Sequence, residues 1–341
     1  MAGGMFELRR DPITSWWVAV VVERGYERAR FARPAEPVHQ PAACRNCADP
    51  SGGGVRRWIV KPNAFSVAGD ERDGRDGREA TPPGGGRQPS LGLVADVGSW
   101  GTILAPPEEH QTFAHAPSGI VGQMLRVARD SIVDAREAGE TEYFQVVQNH
   151  GRQAGAFTNH LCFDTYDLPQ IPHRIGEELG GAARFLIREG SCPFCRLVRD
   201  EVALRDRLVF EDAASVAFAP FASRSAFEIW IVPRHHEADF GRATDAQLTS
   251  AAETLQKVLR LLDALDGPAY NLVLHTAPLR ERVDETYHWH WEIHPRLREI
   301  GGLELGTGLP VNPISPEAAV EELLAAAGIR PAAPEWDGPR R

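Results

Sequence analysis

Long hydrophobic runs are absent from this sequence of 341 residues. A membrane-spanning helix needs about 18 or more consecutive apolar residues, and no stretch of the chain approaches that length. The N-terminal segment is a poor secretory signal, because its apolar stretch SWWVAVVV is short and follows charged residues. We therefore predict a cytoplasmic protein that is not bound to a membrane.

Runs of basic residues are absent as well. The chain has 37 Lys and Arg residues against 47 Asp and Glu residues, which gives a formal net charge of −10. Proteins that bind nucleic acid usually present a clustered basic surface, so we predict no nucleic-acid partner. A small nucleotide is compatible with this charge, because local groups can hold its phosphates.

Cysteine is scarce, but its distribution is uneven. Four of the five cysteines form two CxxC pairs, CRNC at 44–47 and CPFC at 192–195. In a cytosolic chain such pairs are more often metal ligands or redox centres than structural disulfides. A thioredoxin-like redox site would need a helix after the pair, and the residues that follow Cys47 do not predict one. Zinc binding is therefore the favoured interpretation.

Regular structure is predicted along most of the chain, whose length suggests about two domains. Residues 119–139 have apolar side chains at helical spacing and predict a helix that ends at Gly139. Residues 143–151 predict a strand. We interpret residues 167–190 as an extended connector. Residues 67–90, rich in Gly, Pro and charge, predict a loop or a disordered insertion.

The second half of the chain repeats the order of features in the first. Each half has a CxxC pair, strands, a histidine, a helix, a strand and a second histidine stretch. The two histidines that follow the first pair are 50 residues apart, and those that follow the second are 52 apart. A duplication explains this agreement. We predict an α+β protein of two tandem halves, residues 1–175 and 176–341, each an antiparallel sheet with packed helices.

Each half offers four possible zinc ligands. Structural zinc is bound tetrahedrally by Cys thiolates and His nitrogens, and ligand pairs close in sequence reduce the entropy lost in assembling the site. The predicted ligands are Cys44, Cys47, His110 and His160 in the first half, and Cys192, Cys195, His236 and His288 in the second. His235 could replace His236. The alternative is that these cysteines are small buried hydrophobic residues and the histidines are hydrogen-bonded polar residues.

The stretch HWHWEIH, residues 288–294, alternates polar and large hydrophobic side chains. On a strand, this pattern places His288, His290 and Glu292 on one face and the two tryptophans on the other. A positioned neutral imidazole can attack phosphorus and carry a nucleotidyl group covalently, so His290 is a candidate nucleophile. The simpler alternative is a strand that uses histidine on its polar face.

Together these motifs resemble the histidine triad superfamily and, because the arrangement is duplicated, the galactose-1-phosphate uridylyltransferase family. The resemblance covers most of the chain, including ELRRDPITSWWVAV, KPNAF, QNHGRQAGAFTNH, CPFC, YHWHWEIHPRL and GGLELGTGLPVNPISPEAAVEELL. It implies an enzyme that transfers a nucleoside monophosphate between a nucleotide sugar and a sugar 1-phosphate. It also implies structural zinc and a homodimer.

The resemblance assigns roles to individual residues. The first four predicted zinc ligands match the family's ligands, Asn149 and Gly151 resemble positions near the transferred phosphate, and Asn63 resembles a nucleotide-pocket residue. The family's H-P-H-x-Q motif, whose second histidine is the nucleophile, reads H-L-C-F-D here. The nucleophile position is therefore Cys162. Asp164 stands at the substrate-binding glutamine position, where its carboxylate would repel a thiolate and a phosphate.

Without the glutamine, other groups must hold the phosphate oxygens. Backbone N–H groups between Gly151 and Gly155, and the side chain of Arg152, are candidates. Three functions are open at this point. They are nucleotidyl transfer through Cys162 or an altered mechanism, hydrolysis or phosphorolysis of a nucleotide at His290, and non-catalytic binding of a nucleotide or a partner protein by a zinc-stabilised chain.

Overall fold

The structure, a computed structural model, describes residues 6–21, 34–38, 54–60, 98–106 and 112–329. The predictions for Cys44, Cys47, Asn63, His110 and the insertion at 67–90 lie outside these ranges. Within the described ranges, no helix combines the length and the apolar character needed to span a bilayer.

Twelve strands and six helices are assigned in the described part of the chain. The strands are β1 (Phe6–Arg10), β2 (Trp17–Val21), β3 (Arg56–Val60), β4 (Ser99–Leu104), β5 (Tyr143–His150), β6 (Cys162–Leu168), β7 (Leu208–Glu211), β8 (Ser215–Phe218), β9 (Ile229–Pro233), β10 (Tyr270–His275), β11 (His290–Pro295) and β12 (Val311–Asn312). The helices are α1 (Ser118–Ala138), α2 (His173–Glu189), α3 (Pro193–Leu204), α4 (Asp245–Leu262), α5 (Gly302–Thr307) and α6 (Pro316–Ala326).

Nine of these strands form one antiparallel sheet in the order β3-β4-β6-β5-β10-β11-β9-β8-β7. From the central β5–β10 pair, the order β10-β11-β9-β8 on one side matches the order β5-β6-β4-β3 on the other. This symmetry is consistent with the predicted duplication. The boundary at residue 175 falls inside α2, so the division into 1–175 and 176–341 stays a prediction. A smaller sheet has the order β1-β2-β12, with β1 and β2 as an antiparallel pair.

Helices cover both faces of the large sheet. On one face, α1 and α4 pack against each other and against apolar strand residues such as Phe163 and Trp291. The helix predicted to end at Gly139 does so, and this glycine caps it with a φ of 69°. On the opposite face, apolar residues of α2 and α3 are buried against Trp230 and Tyr287. The alternation predicted for HWHWEIH is confirmed, because Trp291 faces α1 and α4 whereas His290 contacts Trp230.

The extended connector expected at residues 167–190 is wrong for most of that range. His173–Glu189 form α2, which ends at Gly190 in a left-handed conformation. Three internal glycines weaken the local helix signal. Burial of Ile175 and Leu179 on one side of α2 stabilises it through tertiary packing, and that contribution is not visible in a local window of sequence.

One glycine of α2 is required by a close approach of two backbones. A Cβ atom at Gly181 would overlap the carbonyl oxygen of Ile13. We expect Gly181→Ala to lower the free energy of unfolding by about 1–3 kcal/mol, because the helix must move away from that backbone. Gly176→Ala in the same helix is the matched control. Nothing lies within 4 Å of a Cβ there, so alanine should stabilise the helix by about 0.5–1 kcal/mol. Denaturant unfolding measures the free energy of unfolding of both variants. Equal changes in the two would contradict the close approach at Gly181.

Candidate functional site

Polar side chains form a row on one face of the nine-stranded sheet. Cys162 and Asp164 alternate along β6 and therefore point to the same face. Asn149 on β5 lies directly opposite Asn271 on β10, and Asn271 lies opposite His294 on β11. Because α1 and α4 cover the other face, this row of side chains lies away from the main apolar core.

A pocket of 190 Å³ opens beside Cys162. Cys162 is half-buried and begins β6. The pocket brings together four predicted site residues, Cys162, Asn149, Gly151 and His160. Gly151 follows β5 with a φ of 81°, and a Cβ atom there would lie 2.8 Å from the Cβ of Ala269. Glycine alone suits both this backbone conformation and this close approach.

Residues 34–38 form one wall of this pocket through Ala35 and its neighbours. The side-chain amides of Gln153 and Asn159 each donate one hydrogen bond to this segment's backbone and accept one from it. The donor–acceptor distances lie between 2.8 Å and 3.3 Å. Two amides on the loop between β5 and β6 thus hold the wall in place.

Three of the five backbone N–H groups expected to bind phosphate, between Gly151 and Gly155, donate to carbonyl oxygens. The N–H of Arg152 donates to the carbonyl oxygen of Glu36 at 2.9 Å. Those of Ala154 and Gly155 donate to carbonyl oxygens of the same loop, at 3.1 Å and 3.0 Å. These three N–H groups are therefore not available to a phosphate, whereas Asn149 lines the pocket together with Cys162.

Three side chains form an oriented chain of hydrogen bonds behind the pocket. Asn271 Nδ2 donates to Asn149 Oδ1 at 2.7 Å, and Asn149 Nδ2 donates to Asp164 Oδ2 at 3.2 Å. Burial raises the pKa of Asp164 to about 6, although hydrogen bonds from neighbouring side chains, Asn149 among them, favour the charged carboxylate. Asp164 therefore changes charge within the pH range of ordinary assays.

A larger pocket of 540 Å³ lies on the other side of the amide pair. Asn271 lines this larger pocket, whereas Asn149 lines the smaller one. Arg224, His294 and Arg296 are also in its wall. Two pockets flanking one hydrogen-bonded amide pair suit an elongated ligand whose polar groups lie near its middle.

The four residues predicted as the second zinc site come together. The ligand atoms of Cys192, Cys195, His236 and His288 all lie within 4.8 Å of one another. Cys195 Sγ is 3.3 Å from His236 Nδ1 and 3.7 Å from His288 Nδ1. Zinc bonds of about 2.0–2.3 Å give tetrahedral edges of roughly 3.3–3.8 Å, so these residues fit zinc. The hydrogen bond from the Cys192 thiol lowers the pKa of Cys195, which favours a thiolate there.

Backbone carbonyl groups orient two of the predicted histidine ligands. His236 Nε2 lies 2.6 Å from the carbonyl oxygen of Asp284, and His160 Nε2 lies 2.9 Å from that of Ala105. A carbonyl oxygen only accepts, so Nε2 carries the hydrogen in each ring. In the neutral tautomer Nδ1 then carries the lone pair that a metal needs.

His290 lies in the protein interior. Its side chain is 0% exposed. Its ring centroid lies 5.0 Å from that of Phe194, 4.9 Å from that of Trp230 and 4.9 Å from that of His275. A nucleotide could therefore reach His290 only if this core opened.

Next to this core, charged groups form a buried network that the sequence patterns did not predict. Glu292, 1% exposed, accepts hydrogen bonds from Arg174 at 2.8 Å and 3.1 Å and from Arg224 at 2.9 Å. Glu178 contacts His275 Nδ1 at 3.0 Å. The acidic and histidine groups lie close enough to hold a metal ion. The two arginines, however, already provide the positive charge that buried carboxylates require.

Similarity to known proteins extends over nearly the whole chain, although no family model matches it. An ADP-glucose phosphorylase from Arabidopsis thaliana is 28% identical over 328 residues, 91% of this chain and 90% of that protein. A galactose-1-phosphate uridylyltransferase from Thermotoga maritima is 23% identical over 329 residues, 94% of this chain and 98% of that protein. The crystal structure of an Arabidopsis thaliana ADP-glucose phosphorylase with bound ADP-glucose shares the fold, with a TM-score of 0.73 at 24% identity, covering 94% and 98% of the two chains. Along nearly its whole length, the chain is therefore similar to galactose-1-phosphate uridylyltransferase-like proteins.

These similarities support the family resemblance predicted from the motifs, and the related structure confirms the α+β fold. The roles assigned to Cys162 and Asp164 stay predictions. Sequence reasoning missed Asn271, Glu178 and Arg174. The first lies in a strand that was predicted without a site, and the other two lie in α2, which was interpreted as a connector.

Proposed function

We propose that this protein transfers a nucleoside monophosphate between a nucleotide sugar and a sugar 1-phosphate, with Cys162 in the place of the family's nucleophilic histidine. The names of the relatives support this reaction class, because they include galactose-1-phosphate uridylyltransferase and ADP-glucose phosphorylase. The second name also makes ADP-glucose a donor to test and phosphate an acceptor to test. We further propose a homodimer, as the family resemblance implies.

The position of Cys162 carries this proposal. Its half-buried side chain lines the 190 Å³ pocket together with Asn149 and Gly151. The alternative nucleophile, His290, is enclosed by aromatic side chains. A group that attacks phosphorus must reach the substrate in line with the bond that breaks, and Cys162 lines the wall of an open pocket.

The reaction then has two displacement steps. Cys162 loses its thiol proton to solvent, and its sulfur attacks the α-phosphorus of the nucleotide sugar. A P–S bond forms, the P–O bond to the β-phosphate breaks, and the electron pair leaves with the sugar 1-phosphate. In the second step a phosphate oxygen of the acceptor attacks the same phosphorus. The P–S bond breaks, and the Cys162 thiolate is released.

The chain's own residues have distinct tasks in this scheme. Asn149 donates hydrogen bonds near the transferred phosphate, and Gly151 lets the backbone turn beside it. We propose zinc at two structural sites. Cys192, Cys195, His236 and His288 would hold one ion, and His160 with Cys44, Cys47 and His110 would hold the other. Zinc at such sites stabilises the fold. Asn63 is proposed as a nucleotide-pocket residue.

Intact-protein mass spectrometry tests the covalent step. We expect the protein to gain one uridylyl or adenylyl group after incubation with UDP-glucose or ADP-glucose. Cys162→Ala should lose this adduct and at least about a thousandfold of the transfer rate. Cys162→Ser, which keeps the shape, should behave similarly because a hydroxyl is a weaker nucleophile. His290→Gln is the control for the buried alternative, and a folded His290→Gln protein should keep the adduct.

An adduct that persists in Cys162→Ala and disappears in His290→Gln would reverse the assignment of the nucleophile. No adduct and no transfer with any donor, from folded and zinc-loaded protein, would favour the second candidate. That candidate is a zinc-stabilised protein that binds a nucleotide or a partner without turnover. The observation that favours it is the replacement of both the nucleophilic histidine and the glutamine of the family motif.

A further inference from the structure

Asp164 is buried beside the pocket in an oriented hydrogen-bond chain. Its side chain is 7% exposed, and it lies two residues beyond Cys162 on the same face of β6. Asn149 uses its amide group to donate to Asp164, and its amide oxygen accepts from Asn271. In this series of hydrogen bonds Asp164 Oδ2 must be an acceptor. The amide group of Asn149 is therefore bound to the carboxyl group of Asp164.

The groups that face Asp164 carry little compensating charge. On β6 itself the titratable neighbours on this face are Cys162 and Tyr166. Burial raises the pKa of Tyr166 to about 12, with the charge of Asp164 as a further cause. From β5 comes the uncharged Asn149, and from β4 come the uncharged Trp100 and Thr102. Among the described side chains, no arginine or lysine is ion-paired with Asp164.

At the end of β5, the titratable His150 also lines the pocket and stacks on Tyr270 at 5.0 Å between ring centroids. Burial lowers the pKa of His150, so this ring is mainly neutral at neutral pH. The loop N–H groups of Arg152, Ala154 and Gly155 are bonded to carbonyl oxygens. An ionised Asp164 therefore places a negative charge, with no cationic partner among the described side chains, beside the place where a phosphate must bind.

We propose that Asp164 is a positioning residue whose protonation decides whether the Cys162 pocket accepts the phosphate groups of a nucleotide sugar. In the neutral form the repulsion is removed, and the amide of Asn149 is no longer drawn to a carboxylate and can donate to a phosphate oxygen. In the ionised form the charge opposes the phosphate and holds that amide. This inference rests on the proposed function, because it assumes that nucleotide sugars bind in this pocket.

Isothermal titration with UDP-glucose and ADP-glucose between pH 5 and pH 8 tests the inference. The two phosphodiester groups of these ligands keep their charge across this range, so a change in affinity comes from the protein. We expect the dissociation constant of the unmodified protein to rise as pH rises through about 6, by about tenfold per pH unit, and to be about a hundredfold larger at pH 8 than at pH 5. Asp164→Asn should bind at every pH about as tightly as the unmodified protein at pH 5.

Asp167→Asn is the matched control. Asp167 lies on the same strand, points to the opposite face and is ion-paired with Arg57 at 3.2 Å, so this variant should keep the original pH dependence. Asp164→Gln, which has the glutamine of the family motif, is a second neutral variant in case Asp164→Asn does not fold. Binding that does not change with pH, or a pH dependence that survives in Asp164→Asn, would overturn the inference alone. No binding by any of these proteins at any pH would overturn the proposed function as well.

Discussion

Cys195→Ser is expected to remove one zinc ion per chain and a large part of the free energy of unfolding. Cys195 is central to the second cluster, because its sulfur lies near the Nδ1 atoms of both His236 and His288. A ligand that binds only the folded state stabilises it by about 4 kcal/mol when its free concentration is about a thousandfold above the dissociation constant. Zinc bound by four protein ligands readily reaches that ratio. Zinc content after acid release and denaturant unfolding in the presence of zinc measure the two losses.

Cys162→Ser is the matched control for this experiment, because it makes the same chemical change outside the cluster. It should keep the zinc content and most of the stability of the unmodified protein. A chelator should lower the stability of the unmodified protein and of Cys162→Ser. It should affect Cys195→Ser less, because that variant has already lost one ion. Equal zinc content in all three proteins would show that the cluster does not hold the metal.

Glu292→Gln should destabilise the fold by about 3–5 kcal/mol, as expected when one partner of a buried ion pair is removed. The carboxylate of Glu292 lies between Arg174 and Arg224 in the interior, and the neutral amide leaves their charges less compensated. Burial alone would raise the pKa of Glu292. The charges of His275 and Arg224 outweigh burial and lower that pKa well below its usual value. Chemical unfolding at pH 7 measures the difference between the two proteins.

The sign of the pH dependence follows from this lowered pKa. The contribution of Glu292 is fully present above the ordinary glutamate pKa of about 4.3 and is lost as pH falls toward the folded-state pKa. The difference in the free energy of unfolding between the unmodified protein and Glu292→Gln should therefore become smaller below about pH 4.3. Glu189→Gln is the control, because Glu189 pairs with Arg188 at the surface and such pairs contribute about 0–1 kcal/mol. If Glu292→Gln changed the free energy of unfolding at pH 7 as little as Glu189→Gln does, the buried ion pair would not stabilise the fold as proposed.

Much of the fold could be predicted because its signals are local. The apolar spacing of α1 and its terminal Gly139 are contained in one short window, and the structure places the helix there. The alternation around His290 predicted the two faces of β11 in the same way. Helix α2 could not be predicted, because its glycines oppose helix formation and its stability comes from distant contacts. Gly181 lies against Ile13, more than 160 residues away in the sequence.

From the sequence alone come the family resemblance, the α+β fold and the eight candidate zinc ligands, because motifs of this kind depend on residue type and spacing alone. The sequence also determined the replacement of histidine by Cys162 and of glutamine by Asp164. The enclosure of His290 and the burial of Asp164 behind the pocket became visible only in the folded chain. The physical reason is that burial and hydrogen-bond partners come from distant parts of the chain, as with Asn149 and Asn271, 122 residues apart. The charge and accessibility of a side chain are set by those partners, and no local pattern records them.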